Sequence, residues 1–251
     1  MEKKKNEVAR SYSPDVRKNS YGVQICENLA YASKEAFKRL RTNVLLSLPE
    51  ETEGCAIIGV TSAQPAEGKS TVSINTAFSF AELGKKVLVI DADLRRPSLH
   101  EKLGIAQAPG LSNLLSGSNS VGAAIKTYKS KTDDTSFDII SSGSIVPNPS
   151  EILTSDRMGK LLQALSGAYD YVFLDLPPVG AVIDAVSVGR YAQGMIVVVR
   201  ENHCPARIFD DCVEQLRYAG IKILGFVVNG AVEGAGKKYQ YNKYHYSGYY
   251  G

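Results

Sequence analysis

The fold is decided by CAIIGVTSAQPAEGKST, residues 55–71. The first seven of these residues are largely apolar, a short polar turn follows, and a helical pattern begins at the end of the stretch. A buried strand that runs through a turn ending in Gly-Lys-Ser-Thr into a helix is the P-loop pattern, here with Ala63 in the first glycine position. In such a loop, backbone N–H groups and the start of the helix surround phosphate oxygens.

The chemistry of this loop assigns candidate nucleotide-binding residues. Lys69 is expected to reach the β- and γ-phosphates, the Ser70 hydroxyl to bind Mg²⁺, and Thr71 to add a further phosphate contact. The full candidate set is Ala66, Glu67, Gly68, Lys69, Ser70 and Thr71. The alternative is a chance match in an ordinary strand–turn–helix, which the position between a buried strand and a helix disfavours.

Two further strands end in aspartate. VLVIDADLRRP, residues 87–97, places Asp91 and Asp93 two residues apart, so both side chains point the same way into the crevice at the sheet edge. YVFLDLPP, residues 171–178, places Asp175 after an apolar run, as in a Walker B motif that holds Mg²⁺. An Asp-x-Asp pair alone also suits a solvated turn. Beside a P-loop, the acids suit metal binding and proton acceptance, and the three motifs together predict a Mg-nucleotide site.

Strand-like and helix-like stretches alternate after residue 55. The predicted strands are 55–61, 87–90, 137–140, 171–174, 195–199 and 223–228. The predicted helices are 33–48, 70–83, 157–165, 184–192 and 206–219, with Gly84 and Gly220 where helices stop. Near-continuous apolar strands need cover on both faces. The pattern therefore predicts an α/β fold of the P-loop NTPase type, with a mainly parallel sheet and helices on both faces.

The domain organisation follows from composition. We expect a flexible arm at residues 1–30, a single P-loop domain at 31–232 and a disordered tail at 233–251. Residues 106–134 are richer in Gly, Ser and Lys, and they receive no assignment.

The tail carries six closely spaced tyrosines: Tyr239, Tyr241, Tyr244, Tyr246, Tyr249 and Tyr250. It also carries three lysines, with no acidic residue after Glu233 and no apolar period, so it should not fold alone. Behind a phosphate-binding loop, the tyrosines are candidate phosphoacceptors. The alternative is a sticky low-complexity terminus.

Composition excludes several classes. The formal charge of +3 is too small to indicate nucleic-acid binding, and the tail is the local basic patch. The first ten residues are charged, without the apolar segment of a signal peptide, and the longest apolar runs are strand-sized. The four cysteines show neither metal-ligand nor CxxC spacing. We therefore expect a cytosolic, reduced protein.

The motifs together resemble those of the bacterial tyrosine kinases (BY-kinases), the P-loop autokinases of capsule and exopolysaccharide synthesis. The resemblance covers residues 33–251, nearly the whole chain. The matching segments are EGKST at 67–71, IDADLRRP at 90–97, GLSNLLSG at 110–117, PNPSEIL at 147–153 and LDLPPVG at 174–180 with Asp184-Ala185. The resemblance implies a tyrosine autokinase that uses ATP and Mg²⁺ and phosphorylates its own tyrosine cluster.

The resemblance also implies residue roles. Lys69 and Ser70 would bind phosphates and Mg²⁺, with Asp91 and Asp175 helping to hold the metal. Asp93 would be the base that accepts the proton of a tyrosine hydroxyl, whose ordinary pKa is about 10.

Two further roles rest on the resemblance. Arg95 would contact phosphate or steer the acceptor. Asn229 would lie where related P-loop proteins bind adenine, although a turn residue fits Asn229 equally well.

Partners and location are likewise implied. One branch of the family joins the kinase to a membrane-spanning domain, whereas in the other a separate membrane modulator activates the kinase through its cytoplasmic tail. Without a spanning segment, this sequence resembles the second branch. The expected partners are thus the cytoplasmic tail of a transmembrane polysaccharide co-polymerase, a cognate tyrosine phosphatase and further copies of the chain in a ring. The kinase would be cytoplasmic and recruited to the inner face of the membrane.

Two residues depart from the family pattern. Ala66 stands where a glycine is usual, and since alanine tolerates positive φ poorly, either the loop differs slightly or the φ of Ala66 is negative. The oligomerisation signature Glu-x-x-Arg-x-x-Arg falls on Glu35, Lys38 and Arg41, with Lys38 replacing the central arginine. Lysine cannot form a bidentate fork, so ring assembly would be weaker or would use Arg39. The alternative is a solvated charged helix face.

Two other functions remain open. A ParA/MinD-type positioning ATPase shares the fold and the acids, but it requires a lysine where this chain has Gln64, and membrane-binding members end in an amphipathic helix. A non-enzymatic nucleotide-binding scaffold is the second, and the intact set Lys69, Asp91, Asp93 and Asp175 argues against it.

Overall fold

The computed structural model describes residues 25–49 and 54–231. Within them lie seven strands: β1 Ala56–Ser62, β2 Val87–Asp91, β3 Ile125–Lys129, β4 Ser136–Ile140, β5 Tyr171–Asp175, β6 Gly194–Arg200 and β7 Ile223–Asn229. They form one sheet in the order β3-β4-β2-β5-β1-β6-β7. Every neighbouring pair is parallel except β3 with β4. The predicted mainly parallel α/β sheet is confirmed.

Helices cover both faces of this sheet. They are α1 Tyr31–Ser47, α2 Lys69–Ala81, α3 Leu99–Leu103, α4 Leu111–Ser116, α5 Val121–Ala124, α6 Pro149–Thr154, α7 Asp156–Ser166, α8 Asp184–Gly189 and α9 Ala206–Tyr218. Side chains of α1, α2 and α3 share one core with the sheet, and those of α4, α6, α7, α8 and α9 share the other. No helix among the described residues has the length and apolar character to cross a membrane.

The strand pleat divides the core between the two faces. Ile57 of β1 packs into one core and its neighbour Ile58 into the other. Phe80 of α2 contacts Phe173 of β5 edge-on, with ring centroids 5.3 Å apart. Burying an aromatic ring of this size stabilises the fold by roughly 1.5–3 kcal/mol. These contacts fix α2, and with it the loop from which α2 starts.

Helix α2 is buried although its sequence is half polar. Its hydroxyls are satisfied locally: Ser73 donates to the Lys69 carbonyl at 3.0 Å and Ser79 to the Thr76 carbonyl at 2.7 Å. From outside, the Cys26 N–H donates to Asn75 Oδ1 at 2.7 Å, and Cys26 is fully buried. Ile25, Cys26 and Glu27, expected in the flexible arm, are buried against the domain, so the expected boundary at residue 30 lies too far along the chain. Residues 1–24 lie outside the described part.

The remaining differences are local. Helix 184–192 is shorter than predicted and ends at Gly189, and the unassigned segment contains α4, α5 and β3. Strand β3 is antiparallel, lies at the sheet edge and has no fully buried residue, so its sequence lacks the continuous apolar run of the central strands.

The topology brings the motifs together. The order β2-β5-β1 places the ends of these three strands side by side, and Asp91 pairs in register with Asp175. The loop that follows β1 therefore faces both acids at the carboxyl edge of the sheet.

Candidate active site

The loop between β1 and α2 depends on two residues with positive φ. Gly68 has φ +94°, and a Cβ on it would lie 2.0 Å from Asn229 Nδ2, so no larger residue fits without movement of Asn229. Ala66 has φ +64°. The alternative that Ala66 takes a negative φ is therefore wrong, and an exposed alanine adopts the left-handed conformation usual for glycine.

Glu67 holds the loop from behind. Its side chain is fully buried, where Oε2 accepts the Gln64 N–H at 2.8 Å and Oε1 accepts the Arg200 N–H at 3.4 Å. Asn229 donates its amide Nδ2 to the Glu67 carbonyl at 2.8 Å. Both side chains thus serve the loop backbone, whereas the sequence had placed them against the nucleotide.

Two further contacts, not anticipated from the sequence, come from the last residue of β6 and from the loop after it. Arg200 Nη1 donates to the Ala66 carbonyl at 3.4 Å, and His203 Nε2 lies 3.1 Å from the Pro65 carbonyl. With the outward carbonyls engaged in this way, the loop N–H groups other than that of Gln64 remain for phosphate oxygens. Nothing in the sequence pattern marks these residues, because their role depends on the pairing of β6 with β1.

Lys69 lies between the acids. Its Nζ is 2.9 Å from Asp93 Oδ2 and 3.7 Å from Asp175 Oδ1, and its side chain is 11% exposed. Burial lowers the pKa of Lys69, but the neighbouring carboxylates of Asp175 and Asp93 outweigh burial and raise it. The lysine is therefore a fixed positive charge at the mouth of the loop.

Asp91 and Asp175 are fully buried next to each other. Asp91 Oδ2 accepts the N–H groups of Ser98 and Leu99, both at 3.2 Å, while Asp175 Oδ1 accepts from Ser73 at 3.2 Å. Burial raises the pKa of both carboxyls, and the charge of Asp175 raises that of Asp91 further.

This pair fits a divalent cation. The other oxygens, Asp91 Oδ1 and Asp175 Oδ2, are buried without a hydrogen-bond partner, and the Ser70 hydroxyl acts to lower the pKa of the Asp175 carboxyl. Within the described ranges no three His, Cys, Asp or Glu side chains form a metal cluster. Two carboxylates with a hydroxyl suit Mg²⁺, which takes its remaining ligands from water and substrate phosphates.

Asp93 lies further out than these two acids. Its Oδ1 accepts the Arg96 N–H at 3.0 Å and its Oδ2 meets Lys69, so the carboxylate is fixed at the cavity wall. It is placed to accept a proton from a hydroxyl that enters the cavity.

Arg95 is clamped at the same wall. Its Nε donates to Asp184 Oδ2 at 2.8 Å and its Nη2 to Ser150 Oγ at 2.8 Å. Ser150 in turn donates to Asp184 Oδ1 at 2.5 Å. This closed triangle joins the β2–α3 loop, α6 and α8. The hydrogen bond from Asp184 raises the pKa of Arg95.

These residues surround one cavity of about 490 Å³. Its lining includes Ala66, Gly68, Lys69, Ser70, Thr71, Asp93 and Arg95 from the predicted set, together with Pro65, Arg96, Ser98, Lys102, Pro177, Pro178, Ala181 and Val182. Glu67, Asn229, Asp91 and Asp175 do not line it. The structure thus brings the predicted residues to one place, in two layers.

The predicted oligomerisation stripe on α1 contains two exposed residues and one that contacts the rest of its own domain. Lys38 and Glu35 form an exposed ion pair at 2.8 Å. Arg41 instead bonds the Ser79 carbonyl and lies 3.7 Å from Glu82, with its side chain 14% exposed. Arg41 is therefore engaged within its own domain. The six tail tyrosines lie outside the described residues.

The chain is similar in sequence to known proteins. Residues 55–205 match the family described as an AAA domain. The chain is 35% identical over 219 residues to the tyrosine-protein kinase YwqD of Bacillus subtilis, which covers 87% of this chain and 86% of that protein. A Klebsiella pneumoniae protein of a cps region is 37% identical over 85% of this chain, which spans only 29% of that protein's length.

Two solved structures are similar to this chain. The kinase domain of the Escherichia coli tyrosine kinase ETK has a TM-score of 0.76 and 35% identity, covering 86% of this chain and 82% of that one. The septum site-determining protein MinD of Pyrococcus horikoshii, solved with Mg-ADP, has a TM-score of 0.57 and 26% identity, covering 71% of this chain and 72% of that one.

Proposed function

Since this chain belongs to the family of bacterial tyrosine-protein kinases, we propose that it transfers the γ-phosphoryl group of ATP to tyrosine hydroxyls. The acceptors include its own tail tyrosines, reached in trans between copies. The observation that carries the proposal is the Lys69–Asp93 ion pair of 2.9 Å, set at the mouth of a P-loop whose neighbouring acids are buried.

Binding and positioning supply most of the catalysis in phosphoryl transfer. The N–H groups of the loop and of the start of α2 hold the phosphate oxygens. The Lys69 ammonium group moves from Asp93 to contact the β- and γ-phosphates. Asp91, Asp175 and Ser70 would hold Mg²⁺, which would supply charge neutralisation on the transferred group when bound. Glu67 and Asn229 keep the loop in register from behind.

Asp93 then acts as the proton acceptor. Once Lys69 contacts phosphate, Asp93 Oδ2 is released to accept a hydrogen bond from the tyrosine hydroxyl. Asp93 takes the hydroxyl proton as the tyrosine oxygen bonds to the γ-phosphorus, while the bond from that phosphorus to the β–γ bridging oxygen breaks and ADP leaves. Arg95, fixed by Asp184 and Ser150, presents positive charge beside the acceptor.

Regulation and location belong to the same proposal. The family implies control of capsule or exopolysaccharide synthesis, activation by the cytoplasmic tail of a membrane co-polymerase, reversal by a tyrosine phosphatase, and assembly into a ring. The cps-region relative supports the polysaccharide assignment. We propose that the chain acts in the cytoplasm at the inner membrane face, recruited by that partner.

A positioning ATPase is less well supported. MinD shares the fold, yet the position of the required lysine is occupied here by Gln64, whose N–H donates to Glu67. A non-catalytic scaffold would not need the unpartnered carboxylate oxygens of Asp91 and Asp175.

The deciding experiment is intact-mass spectrometry of the chain with Mg-ATP beside Lys69→Met, each with and without the cytoplasmic tail of the candidate partner. The proposal expects successive phosphate additions mapping to residues 239–250 and their absence from Lys69→Met. Intact ATP binding with no phosphotyrosine under any condition would favour the scaffold or the positioning ATPase.

A further inference from the structure

One wall of the cavity carries positively charged residues that have no assigned role in nucleotide binding. Besides the P-loop, residues 95–102 contribute Arg95, Arg96 and Lys102 to the lining. With Lys69 this makes four cations, against the single acid Asp93 in the lining. Lys69 is engaged by Asp93 and Asp175, so the positive charge that remains belongs to residues 95–102.

The three cations of this wall differ in freedom. Arg95 is fixed by the Asp184–Ser150 triangle, which uses Nε and Nη2 and leaves Nη1 outside the clamp. In the described part of the chain, Arg96 and Lys102 form no ion pair. Arg96 is exposed and Lys102 is half-buried. A fixed guanidinium flanked by two unpaired cations suits a phosphate group, whose oxygens accept several charge-assisted hydrogen bonds.

The tail's own charge makes this wall unsuitable for the unmodified acceptor. The segment after Glu233 has lysines at 237, 238 and 243 and no acid, so wall and tail repel each other. Each phosphate adds about −1.5 to −2 charges and reverses the local sign. The tyrosines at 239 and 241, and those at 244 and 246, are two apart, which spans about 6.6 Å in an extended segment. One tyrosine at Asp93 would therefore place its neighbour within reach of the wall.

We propose that Arg95, Arg96 and Lys102 form a phosphotyrosine subsite beside the acceptor position. A tyrosine is then phosphorylated faster when its neighbour in the same segment already carries phosphate. This inference rests on the proposed kinase function, and it names the acceptor class of that same site: tyrosine segments already bearing a phosphotyrosine.

A binding assay tests the subsite without requiring transfer. Two labelled peptides span residues 236–251. One has phenylalanine at every tyrosine position, and the other is identical except for phosphotyrosine at position 241. Fluorescence anisotropy gives their affinities for the full chain, with a non-hydrolysable ATP analogue and Mg²⁺ filling the P-loop. The variants are Arg96→Gln/Lys102→Gln and, as a charge-matched control, Lys129→Gln/Lys160→Gln, whose lysines are exposed elsewhere.

The phosphopeptide should bind the wild-type chain at least about fivefold more tightly than its partner. That preference should fall to about twofold or less in Arg96→Gln/Lys102→Gln, persist in the control, and shrink in about 0.5 M salt. Equal binding by the wild type would overturn the subsite, as would a preference that survives in Arg96→Gln/Lys102→Gln. So would a loss of ATP-analogue affinity in that variant with the preference retained, because the wall would then serve the nucleotide. Thermal unfolding checks that each variant is folded.

The outcome separates the two proposals. A phosphopeptide preference without any phosphotyrosine in the mass experiment would leave the subsite standing and remove the kinase. Transfer to tyrosine with equal peptide binding would do the reverse.

Discussion

At the residue scale, the site contains residues in energetically unfavourable states, together with neighbouring residues that hold them in place. Asp91 and Asp175 are buried side by side with one oxygen each unpartnered, and Ala66 adopts a left-handed conformation. Such features persist only where neighbouring contacts fix them, and they cluster at functional sites. Substitutions that remove this unfavourable burial or backbone strain should therefore increase the stability of the protein or leave its stability unchanged. Some of these substitutions should also reduce its activity.

Asp91→Asn should stabilise the metal-free protein at neutral pH. Burial and Asp175 raise the pKa of Asp91 in the folded state. Its contribution to stability is therefore fully present below its unfolded pKa of about 3.9 and is lost as pH rises through the raised value. Asparagine keeps an acceptor for Ser98 and Leu99 but never ionises. We expect a gain of about 1–2 kcal/mol near pH 7.5 that disappears toward pH 4, measured by thermal unfolding.

The same substitution should reduce phosphate transfer by roughly a hundredfold or more, since it removes a proposed metal ligand. A variant less stable than the wild type at neutral pH would contradict the argument.

Ala66→Gly should relieve backbone strain. An L-residue in the left-handed region costs about 1–2 kcal/mol, and glycine returns about 0.5–1 kcal/mol of that through the entropy of the unfolded chain. Because Ala66 is exposed, little packing is lost, and a net gain of about 0.5 kcal/mol is expected in denaturant unfolding. Ala66→Val, which places a β-branched side chain at φ +64°, should lower stability. The reverse order of the two variants would show that the loop is not strained at this position.

At the element scale, the P-loop is fixed by strands distant in sequence. Glu67 joins it to β6 through Arg200, and Asn229 joins it to β7. The charged stripe of α1 similarly contains one residue that bonds to α2 and two that face solvent. The sequence motifs alone do not distinguish these roles.

Glu67→Gln should loosen the loop. Each Glu67 oxygen accepts a backbone N–H, whereas glutamine would turn an NH₂ group toward one of these donors. Loss of a buried, charge-assisted acceptor costs about 1.5–3 kcal/mol. Thermal unfolding should show this loss together with weaker ATP binding. Glu214→Gln, exposed on α9, is the control and should change neither.

Arg41→Ala should destabilise the domain itself. Its guanidinium bonds the Ser79 carbonyl and pairs with Glu82, so its removal should cost about 1–2 kcal/mol. Lys38→Ala, which breaks only an exposed i,i+3 pair, should cost at most about 0.5 kcal/mol. Denaturant unfolding measures both, and analytical ultracentrifugation reports separately on assembly. Equal stability effects would show that Arg41 does not anchor α1 to α2.

The parts of the fold that could be predicted from sequence are those with a local signal. The central strands have apolar runs, and the helix starts and stops are marked, so the bounds of most elements agree within one or two residues. Strand β3 was missed because an edge strand with charged residues has no such run. The burial of residues 25–27 has no local sequence signal because it depends on a hydrogen bond to Asn75, which is 49 residues away from Cys26.

The candidate site divides along the same line. Lys69, Asp93 and the metal-facing acids follow from spacing at strand ends. The outward roles of Glu67 and Asn229 and the contacts of Arg200 and His203 arise from strand pairing, which spacing does not encode. Arg95 was expected from the family, but its partners Asp184 and Ser150 were not, because they lie 89 and 55 residues away from it in the chain.

At the scale of the whole molecule, the proposed function requires the tail tyrosines to reach an active site, either that of their own chain or that of another copy. A mixing experiment distinguishes the two. Lys69→Met supplies intact tyrosines without transfer, and a variant with all six tail tyrosines changed to phenylalanine supplies transfer without acceptors. Mass spectrometry of the mixture should find phosphotyrosine on Lys69→Met, at a rate that rises with the concentration of the active partner. Phosphate on the wild type alone, with none on Lys69→Met in the mixture, would place transfer within a single chain.

The Asn229–Glu67 hydrogen bond has a consequence for how the protein is made. It spans 162 residues, so the loop at 63–71 leaves the ribosome long before the residue that locks it. A nascent chain can form β1 and α2 early, yet it lacks the β7 contact until translation has passed residue 229. Nucleotide binding during synthesis would therefore report late folding, and a stalled chain that ends before β7 would carry the motif without a working site.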